Sequence, residues 1–227
     1  MKKVFLLLIF ACSVMTLWGQ VGIRAGIKLG AGLAAQRFEP GQLDEDYFFT
    51  NRLALGRKSQ WIPAFHIAGF TELDVHKYIG FGAGLSVANR GSRVDLGNQF
   101  DFESAGINCI YAQIPVYVQA RASGFFLNAG PYVGLALGGG SWRKPFKGGD
   151  LRDQIVWGND FEADLRRMDL GLRLEAGGSY RNVRFFVGTD IGLFDLMPSD
   201  WDKEIPGIGL YNQALYCGMG YVFSAMK

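Results

Sequence analysis

The chain has 227 residues, of which 49% are hydrophobic, and a formal net charge of +2, which gives no basic footprint for a nucleic-acid partner. Its 32 glycines against 7 prolines exclude a collagen-like or Pro-rich linker composition. After the N-terminus no apolar run reaches the roughly 20 residues that a membrane helix needs, which excludes a helical membrane protein.

Residues 1–19 have the pattern of a secretory signal peptide, in which two lysines precede an apolar stretch. Cleavage near residue 20 removes two lysines and no acid, so the mature domain, 20–227, has no net charge. A lipidated Cys12 is the alternative to an ordinary signal. Because two distant cysteines do not make a disulfide framework, we expect Cys109 and Cys217 to be free.

Eight segments follow in which apolar residues alternate with a second kind of residue. In the first, the odd positions from Val21 to Leu33 are apolar, whereas the even positions are Gly, Arg and Lys. A helix would mix the two sets on every face, but a strand separates them. The predicted strands are residues 21–33, 65–73, 79–88, 111–119, 127–137, 168–177, 184–193 and 214–223.

The second face of these strands is rich in Gly, Ala and Ser and carries charges of both signs. A water-exposed surface would be rich in Lys, Glu and Thr instead, whereas small residues suit the narrow lumen of an eight-stranded barrel. Buried charges need partners, so we predict a charge network in the lumen, with His66 as a member of its polar packing. Its members are Arg24, Lys28, His66, Glu72, Asp169, Arg173, Glu175, Arg184 and Asp190.

The connections between the predicted strands alternate in length. Short ones lie near residues 74–77, 121–124 and 181–182, and long ones span 34–59, 89–105, 138–167 and 194–208. Bacterial outer-membrane barrels have short periplasmic turns and long extracellular loops. The sequence therefore predicts an all-β fold, an eight-stranded antiparallel up-and-down transmembrane β-barrel with short periplasmic turns and long extracellular loops, in a Gram-negative outer membrane.

Aromatic residues fall where girdles at the two membrane interfaces are expected. They lie on the apolar face, and ordinary β-propensity is the alternative explanation for them. Near the short turns these are Phe125, Tyr180, Phe185, Tyr221 and Phe223, and near the long loops Trp61 and Tyr211.

Several segments also resemble the PorT-like porin family, small outer-membrane β-barrel proteins of Bacteroidetes. The resemblance rests on YAQIP at 111–115, NAGPYVGLALGG at 128–139, DLG at 169–171 and the closing GYVF at 220–223, and it covers nearly all of the mature chain. It implies an outer-membrane location and a barrel, and one named member of the family serves protein secretion and gliding. The chain departs from the usual pattern at 224–227, since outer-membrane barrels generally end on the closing aromatic residue.

Three functions remain open from the sequence. The first is a non-enzymatic barrel that is structural or binds a protein partner through its extracellular loops, where Tyr47, Phe48 and Phe49 stand beside three acids at 44–46. The second is a narrow channel for ions or small solutes, although water-filled channels generally belong to barrels of about 16 strands.

The third function, a lipid-modifying enzyme of the outer membrane, needs a nucleophile and a base within hydrogen-bond reach. His66 with Ser86 on the next strand is the candidate pair, whereas His76 falls in a predicted turn. We expect no enzyme activity, no cofactor and no metal site, because the acids between Asp150 and Asp164 lack the spacing of a calcium loop. We expect outer-membrane lipid to surround the barrel.

Overall fold

The computed structural model describes residues 22–43, 47–50, 52–97 and 101–226, with side chains as far as residue 223; the predicted signal segment, 1–19, lies outside this part of the chain. Eight of the strands have 10 to 21 residues, which is long compared with those of most globular proteins. The elements are β1 (Gly22–Pro40), β2 (Tyr47–Phe49), β3 (Ala54–Gly56), β4 (Ile62–Asp74), β5 (Ile79–Asp95), β6 (Phe102–Ala122), β7 (Phe125–Pro145), β8 (Leu151–Gln154), β9 (Met168–Tyr180), β10 (Val183–Gly192), α1 (Ser199–Glu204) and β11 (Ile208–Met226).

Eight of the described strands form one antiparallel ring. Their order is β6-β5-β4-β1-β11-β10-β9-β7, and the pairing of β6 with β7 closes the ring. The first strand, β1, also pairs with the last, β11, so the connectivity is up-and-down around the whole ring. Strands β2 and β3 pair only with each other, and β8 adds to the end of β7. The predicted eight-stranded antiparallel fold is confirmed.

The ring has an apolar outward face and a polar, glycine-rich inward face. On β1, Ile27 and Leu29 are 50% and 59% exposed to the outside, whereas Lys28 between them is buried in the lumen. A band of exposed apolar side chains around a closed ring is typical of a surface that contacts lipid. Among the described residues no helix has both the length and the apolar character to cross a membrane.

Three tight connections lie at one end of the ring, which we call the turn end. They consist of residues 75–78, 123–124 and 181–182. In the turn at 123–124, Ser123 and Gly124 have φ angles of 49° and 85°. Two successive positive φ values match the right-handed twist of a two-residue hairpin, and glycine adopts them without steric cost. The short predicted turns are therefore confirmed.

At the opposite end, the loop end, the strands extend further than the sequence predicted. Strand β1 continues to Pro40, β5 to Asp95 and β7 to Pro145, so much of the predicted loops 34–59, 89–105 and 138–167 is strand. The prediction was wrong there because the polarity of the two faces reverses. Beyond the apolar band, charged side chains point outward to water and apolar ones point inward, as on β1 with exposed Arg37 and buried Phe38.

The inward apolar residues of these extensions pack with loop residues into a core that covers the loop end of the lumen. We call this group the loop-end core. Burial of a side chain such as Leu165 or Leu210 stabilises it by about 1.5–3 kcal/mol. Its buried members are Phe38, Phe48, Leu53, Leu55, Ile107, Cys109, Tyr111, Ala136, Ile155, Leu165, Leu196, Met197, Ile208 and Leu210.

Both cysteines of the predicted mature domain are free, as the sequence predicted. Cys109 is buried in the loop-end core, whereas Cys217 is exposed. Cys217 lies opposite Ala31 of β1 and Val187 of β10, in the outward row of β11 between Leu215 and Met219. The Cys109 thiol is therefore surrounded by protein, whereas the Cys217 thiol lies in the exposed apolar band of the barrel.

Candidate functional site

The lumen contains three groups of ion pairs along its axis. Nearest the turn end, Glu72 accepts two hydrogen bonds from Arg184, at 2.6 and 2.7 Å. Glu72 also pairs with Arg24 at 3.1 Å and accepts a bond from the Gln119 amide at 2.8 Å. A bidentate guanidinium–carboxylate pair of this kind fixes orientation as well as charge. In the turn-end half of the lumen, two guanidiniums and one amide thus share a single carboxylate.

The middle group consists of Lys28 and Glu175. The Lys28 ammonium lies 2.7 and 2.9 Å from the two Glu175 oxygens, and Asn128 donates to the same carboxylate at 3.0 Å. Lys28 also lies 4.9 Å from the centre of the Phe70 ring and 5.5 Å from that of Phe186. Aromatic faces stabilise a desolvated cation, so Lys28 is held by both charge and ring contacts.

The third group, on the loop side of the lumen, is centred on Asp190. Arg173 donates to both Asp190 oxygens at 2.7 Å, and Arg90 makes a further short contact with this carboxylate. The Tyr216 hydroxyl donates to it at 3.3 Å. Two guanidiniums on one carboxylate leave a local excess of positive charge, and Arg173 also donates to the Gln113 side-chain amide oxygen, Oε1, at 2.9 Å.

Two predicted network members, His66 and Asp169, lie among these groups without an ion pair to any residue that the structure describes. The His66 ring stacks on Tyr216 with centroids 4.7 Å apart, and neither of its nitrogens has a hydrogen-bond partner among the described residues. Asp169 accepts bonds from the Tyr132 hydroxyl at 3.2 Å and the Asn212 amide at 3.0 Å. Asp169 was expected to face a basic residue, and its described hydrogen bonds come instead from neutral donors.

The candidate Ser–His pair does not form a hydrogen bond. His66 lies opposite Ala88, whereas Ser86 lies opposite Ala68, so the two residues are one inward position out of register. The Ser86 hydroxyl instead donates to the Gln113 backbone carbonyl at 3.5 Å and accepts from Arg173 Nη1 at 3.4 Å. This geometry lacks the nucleophile–base contact that covalent catalysis requires.

The sequence interpretation missed Arg90, because residue 90 fell in a predicted loop. The inward parity of β5, which runs through Ser86 and Ala88, continues to Arg90 and was the available signal. Neutral residues were missed for a different reason, since their polar ends become partners only when the barrel closes. These are Gln113, Gln119, Asn128, Tyr117, Tyr132, Asn212 and Tyr216.

Glycines on the inward face make room for aromatic rings from neighbouring strands. A Cβ atom on Gly82 would lie 2.3 Å from the Tyr117 ring, and one on Gly188 would lie 2.6 Å from the Tyr216 ring. Such distances are far below van der Waals contact, so the rings can lie flat across the wall only where a side chain is missing. The glycine-rich face is therefore filled by rings and ion pairs.

Little free space remains at the middle of the lumen. The cavity beside Lys28, Phe70 and Glu175 has a volume of about 10 Å³, which is about the space for one water molecule. Beyond it, the loop-end core covers the lumen with apolar side chains. Side chains of the described residues thus fill the lumen around this cavity and lie across its loop end.

The turn end of the lumen is open by comparison. A cavity of about 200 Å³, the turn-end vestibule, lies inside the turns at 75–78 and 123–124. Arg24, Arg121 and Arg184 line it. Asp74 joins two of these residues, since it lies 3.0 Å from Arg24 and 2.8 Å from Arg121. The vestibule is therefore a polar cavity at the turn end of the lumen.

Phe48, one of the loop residues that the sequence suggested for binding, is part of the folded core. Phe48 is buried, stacks on Phe38 at 6.3 Å and meets the edge of the Trp201 ring at 5.1 Å. The acids at 44–46 lie outside the described residues. Phe48, which the sequence suggested as a binding residue, therefore packs inside the loop-end core instead.

No group of metal-ligating side chains occurs in the parts of the chain that the structure describes. Asp164 accepts a hydrogen bond from the Val156 backbone N–H at 2.8 Å and lies 3.7 Å from Arg52. Burial raises the pKa of the Asp164 carboxyl above its ordinary value, and these two neighbours counteract part of the rise. The role of Asp164 in this structure is to hold the loop together.

Comparison with known families decides how this ring is classified. A family model described as "Outer membrane protein beta-barrel domain" matches residues 18–197 of the chain. The chain belongs to this family. No curated protein matches it significantly.

Several solved outer-membrane barrels superpose on the ring only loosely. Ail of Yersinia pestis, solved with the heparin analogue sucrose octasulfate, is 12% identical with a TM-score of 0.41, over 88% of this chain and 99% of that one. Neisserial surface protein A is 10% identical, with a TM-score of 0.42 and coverage of 88% and 97%. The Escherichia coli outer membrane protease OmpT is 13% identical, with a TM-score of 0.37, over 89% of this chain and 97% of that one. With TM-scores below 0.5, we assign none of the activities of these three proteins to this chain.

As an outer-membrane barrel, the chain places its apolar band in lipid. Phe125 and Tyr180 are 71% and 70% exposed on the outward face of the turn end, and Tyr221 packs against Phe223 there at 5.7 Å. Trp61 is exposed on the outward face at the loop end. Aromatic side chains at both margins of an apolar band occupy the positions of interfacial girdles.

Proposed function

We propose that this outer-membrane barrel is a non-enzymatic protein with a closed lumen, which acts in a structural or partner-binding role through its loop end. The observation that carries the proposal is the packing of the lumen. The groups around Glu72, Glu175 and Asp190 fill it with paired charges, and the cavity beside Lys28 and Glu175 has a volume of about 10 Å³. Eight-stranded barrels are just wide enough for side chains to fill.

The loop end offers exposed side chains for such a role. Phe146, Leu151 and Phe161 are about half exposed there, although much of the surrounding loop structure is buried. Exposed apolar side chains on a rigid support are typical of binding surfaces. We propose that a protein partner contacts this surface and that lipid contacts only the band below it.

The orientation and export of the chain belong to the same proposal. The turn end faces the periplasm and the loop end faces the outside, as in bacterial barrels with short turns at one end. A cleaved signal, residues 1–19, delivers the chain to a Gram-negative outer membrane. The resemblance to PorT-like proteins of Bacteroidetes supports this assignment.

Planar-bilayer recording tests the closed lumen. The purified, folded barrel is expected to show no stable conductance steps, because the middle of the lumen has space for about one water molecule. Heat-modifiable migration of the same sample shows that the protein is folded. Stable, reproducible ion conductance would contradict the closed lumen and favour the narrow channel.

Substitution of the loop end tests the binding role. In cells that lack the native chain, a variant with Phe146→Ser, Leu151→Ser and Phe161→Ser is expected to restore the folded barrel but not the phenotype. A matched control carries serine at three exposed apolar residues of the lipid band, for instance Leu29. Full complementation by the loop-end variant would count against a role in partner binding.

A further inference from the structure

The turn-end vestibule contains more positive than negative charge. Its lining includes Arg24, Lys77, Arg121 and Arg184, and the carboxylates that pair with these residues are Glu72 and Asp74. Four basic side chains against two acidic ones leave an excess of two positive charges. In a partly enclosed cavity such an excess attracts anions more strongly than it does in open water.

The arginines also have donors that the protein does not use. The Nε–H groups of Arg24, Arg121 and Arg184 are buried, and none has a hydrogen-bond partner among the described residues. Arg184 is the most informative of the three, because its side chain is 1% exposed while its two terminal nitrogens bind Glu72. A buried donor without a partner costs about 1–3 kcal/mol, so a ligand that accepts from it is stabilising.

The remaining lining suits a small polar group. Ser123 and Ser179 supply hydroxyls, and the rings of Tyr78 and Phe126 form the apolar part of the wall. The volume of about 200 Å³ is twenty times that of the cavity at the middle of the lumen. The vestibule can therefore hold a small anion with some of its water, which the packed middle of the lumen cannot.

We propose that the turn-end vestibule binds a phosphate group. Guanidinium groups match phosphate oxygens in geometry and charge. Lys77, exposed in the turn at 75–78, adds a point charge at the edge of the vestibule. The site is separate from the proposed loop-end binding surface and lies at the opposite end of the barrel. Two sources supply the same chemistry, free inorganic phosphate and the headgroup of an anionic phospholipid in the adjoining leaflet.

Calorimetric titration of the full chain in maltoside micelles, which contain no phosphate, tests the site. One arm uses inorganic phosphate and the other uses dihexanoyl phosphatidylglycerol, both at low ionic strength because salt screens the attraction. We expect saturable binding at one site per chain. Tighter binding of the first probe identifies a free anion as the ligand, and tighter binding of the second identifies a lipid headgroup.

Variants locate the binding in the vestibule. Arg121→Gln removes one basic lining residue and is expected to weaken binding about tenfold. Arg37→Gln is the matched control, because Arg37 pairs with Glu39 at 3.1 Å on the outward face of the loop end; its affinity should equal that of the unchanged chain. If Arg121→Gln fails to give a heat-modifiable barrel, Lys77→Gln, in an exposed turn, replaces it with the same expectation.

The proposal is overturned if neither probe binds saturably. It is equally overturned if the folded vestibule variant, Arg121→Gln or its replacement Lys77→Gln, binds as tightly as Arg37→Gln, since binding would then lie elsewhere. Because micelles expose both ends of the barrel, the result does not depend on which end faces the periplasm. Loss of this site would also leave the proposed loop-end function untouched, so the two proposals fail separately.

Discussion

At the scale of single residues, Glu72 shows why the lumen charges act as a group. Its carboxylate is fully buried and faces Arg184, which is also buried, and Arg24, which is 20% exposed. Replacing a buried ion pair with apolar residues can be neutral, but removal of one partner leaves a charge without compensation. The stability of the group therefore depends on the presence of every member.

Glu72→Gln is expected to destabilise the barrel by about 3–5 kcal/mol, because Arg184 and Arg24 then lose their shared counter-charge. The measurement is urea unfolding of the purified protein, followed through heat-modifiable migration. Glu39→Gln is the control, since Glu39 and Arg37 form a half-exposed pair of the kind that contributes about 0–1 kcal/mol. Equal unfolding midpoints for the two variants would show that the lumen pair carries no special stability.

Glycine substitutions give a second contrast between single residues. A Cβ on Gly82 meets the Tyr117 ring at 2.3 Å, whereas a Cβ on Gly69 has no atom within 4 Å. Gly82→Ala is therefore expected to cost about 1–3 kcal/mol through overpacking, and Gly69→Ala is expected to cost far less. Both variants gain the same methyl group in adjacent strands, so urea midpoints compare the two sites directly. A larger loss for Gly69→Ala would refute the packing argument.

At the scale of elements, the strands belong to two environments. Within the apolar band their outward residues meet lipid, and beyond it their outward residues meet water while their inward residues form the loop-end core. Arg37 and Phe38 on β1 mark this change within two residues. The loops are thereby tied to the barrel wall by the same strands that cross the membrane.

Truncation of the loop-end core should loosen the loops without unfolding the membrane part. Leu165→Ala removes a fully buried side chain of the core, and a loss of about 2–5 kcal/mol is expected locally. Limited proteolysis of intact cells should then cut the loops faster, while the migration of the barrel stays heat-modifiable. Leu151→Ala, at an exposed position of β8, should leave the cleavage rate unchanged. Unchanged cleavage in Leu165→Ala would mean that the loops do not depend on this core.

At the scale of the whole molecule, much of the ring was predictable from alternation alone. The inward positions of Arg24, Lys28 and Glu72 follow from strand parity, because each residue on a strand points opposite to its neighbour. The partners were not predictable. Lys28 on β1 reaches Glu175 on β9, which is not a neighbouring strand, so the pair depends on the width and stagger of the closed barrel.

The extent of the strands was not predictable for a related reason. Apolar-outward alternation is the signal of a lipid-facing strand, and it ends where the exterior becomes aqueous. Arg93 and Val94 lie past this boundary on β5, where the charged residue points outward and the apolar one is buried, so their segment looked like a loop although its alternation continues with the opposite polarity. The vestibule was hidden as well, since Arg24, Arg121 and Arg184 come from three strands that meet only after closure.

The accessibility of Cys109 and Cys217 to thiol reagents reports whether the barrel is folded and inserted. Cys109 is enclosed by protein, and Cys217 faces the band that lipid covers. In the proposed mature domain, 20–227, a charged, water-soluble maleimide should therefore label both thiols in urea and neither in a folded, membrane-inserted barrel, whereas in detergent Cys217 alone becomes accessible to a small apolar reagent. Counting labelled thiols by mass thus distinguishes unfolded, solubilised and inserted chains in one unmodified sequence, and it allows the kinetics of insertion to be followed without any engineered probe.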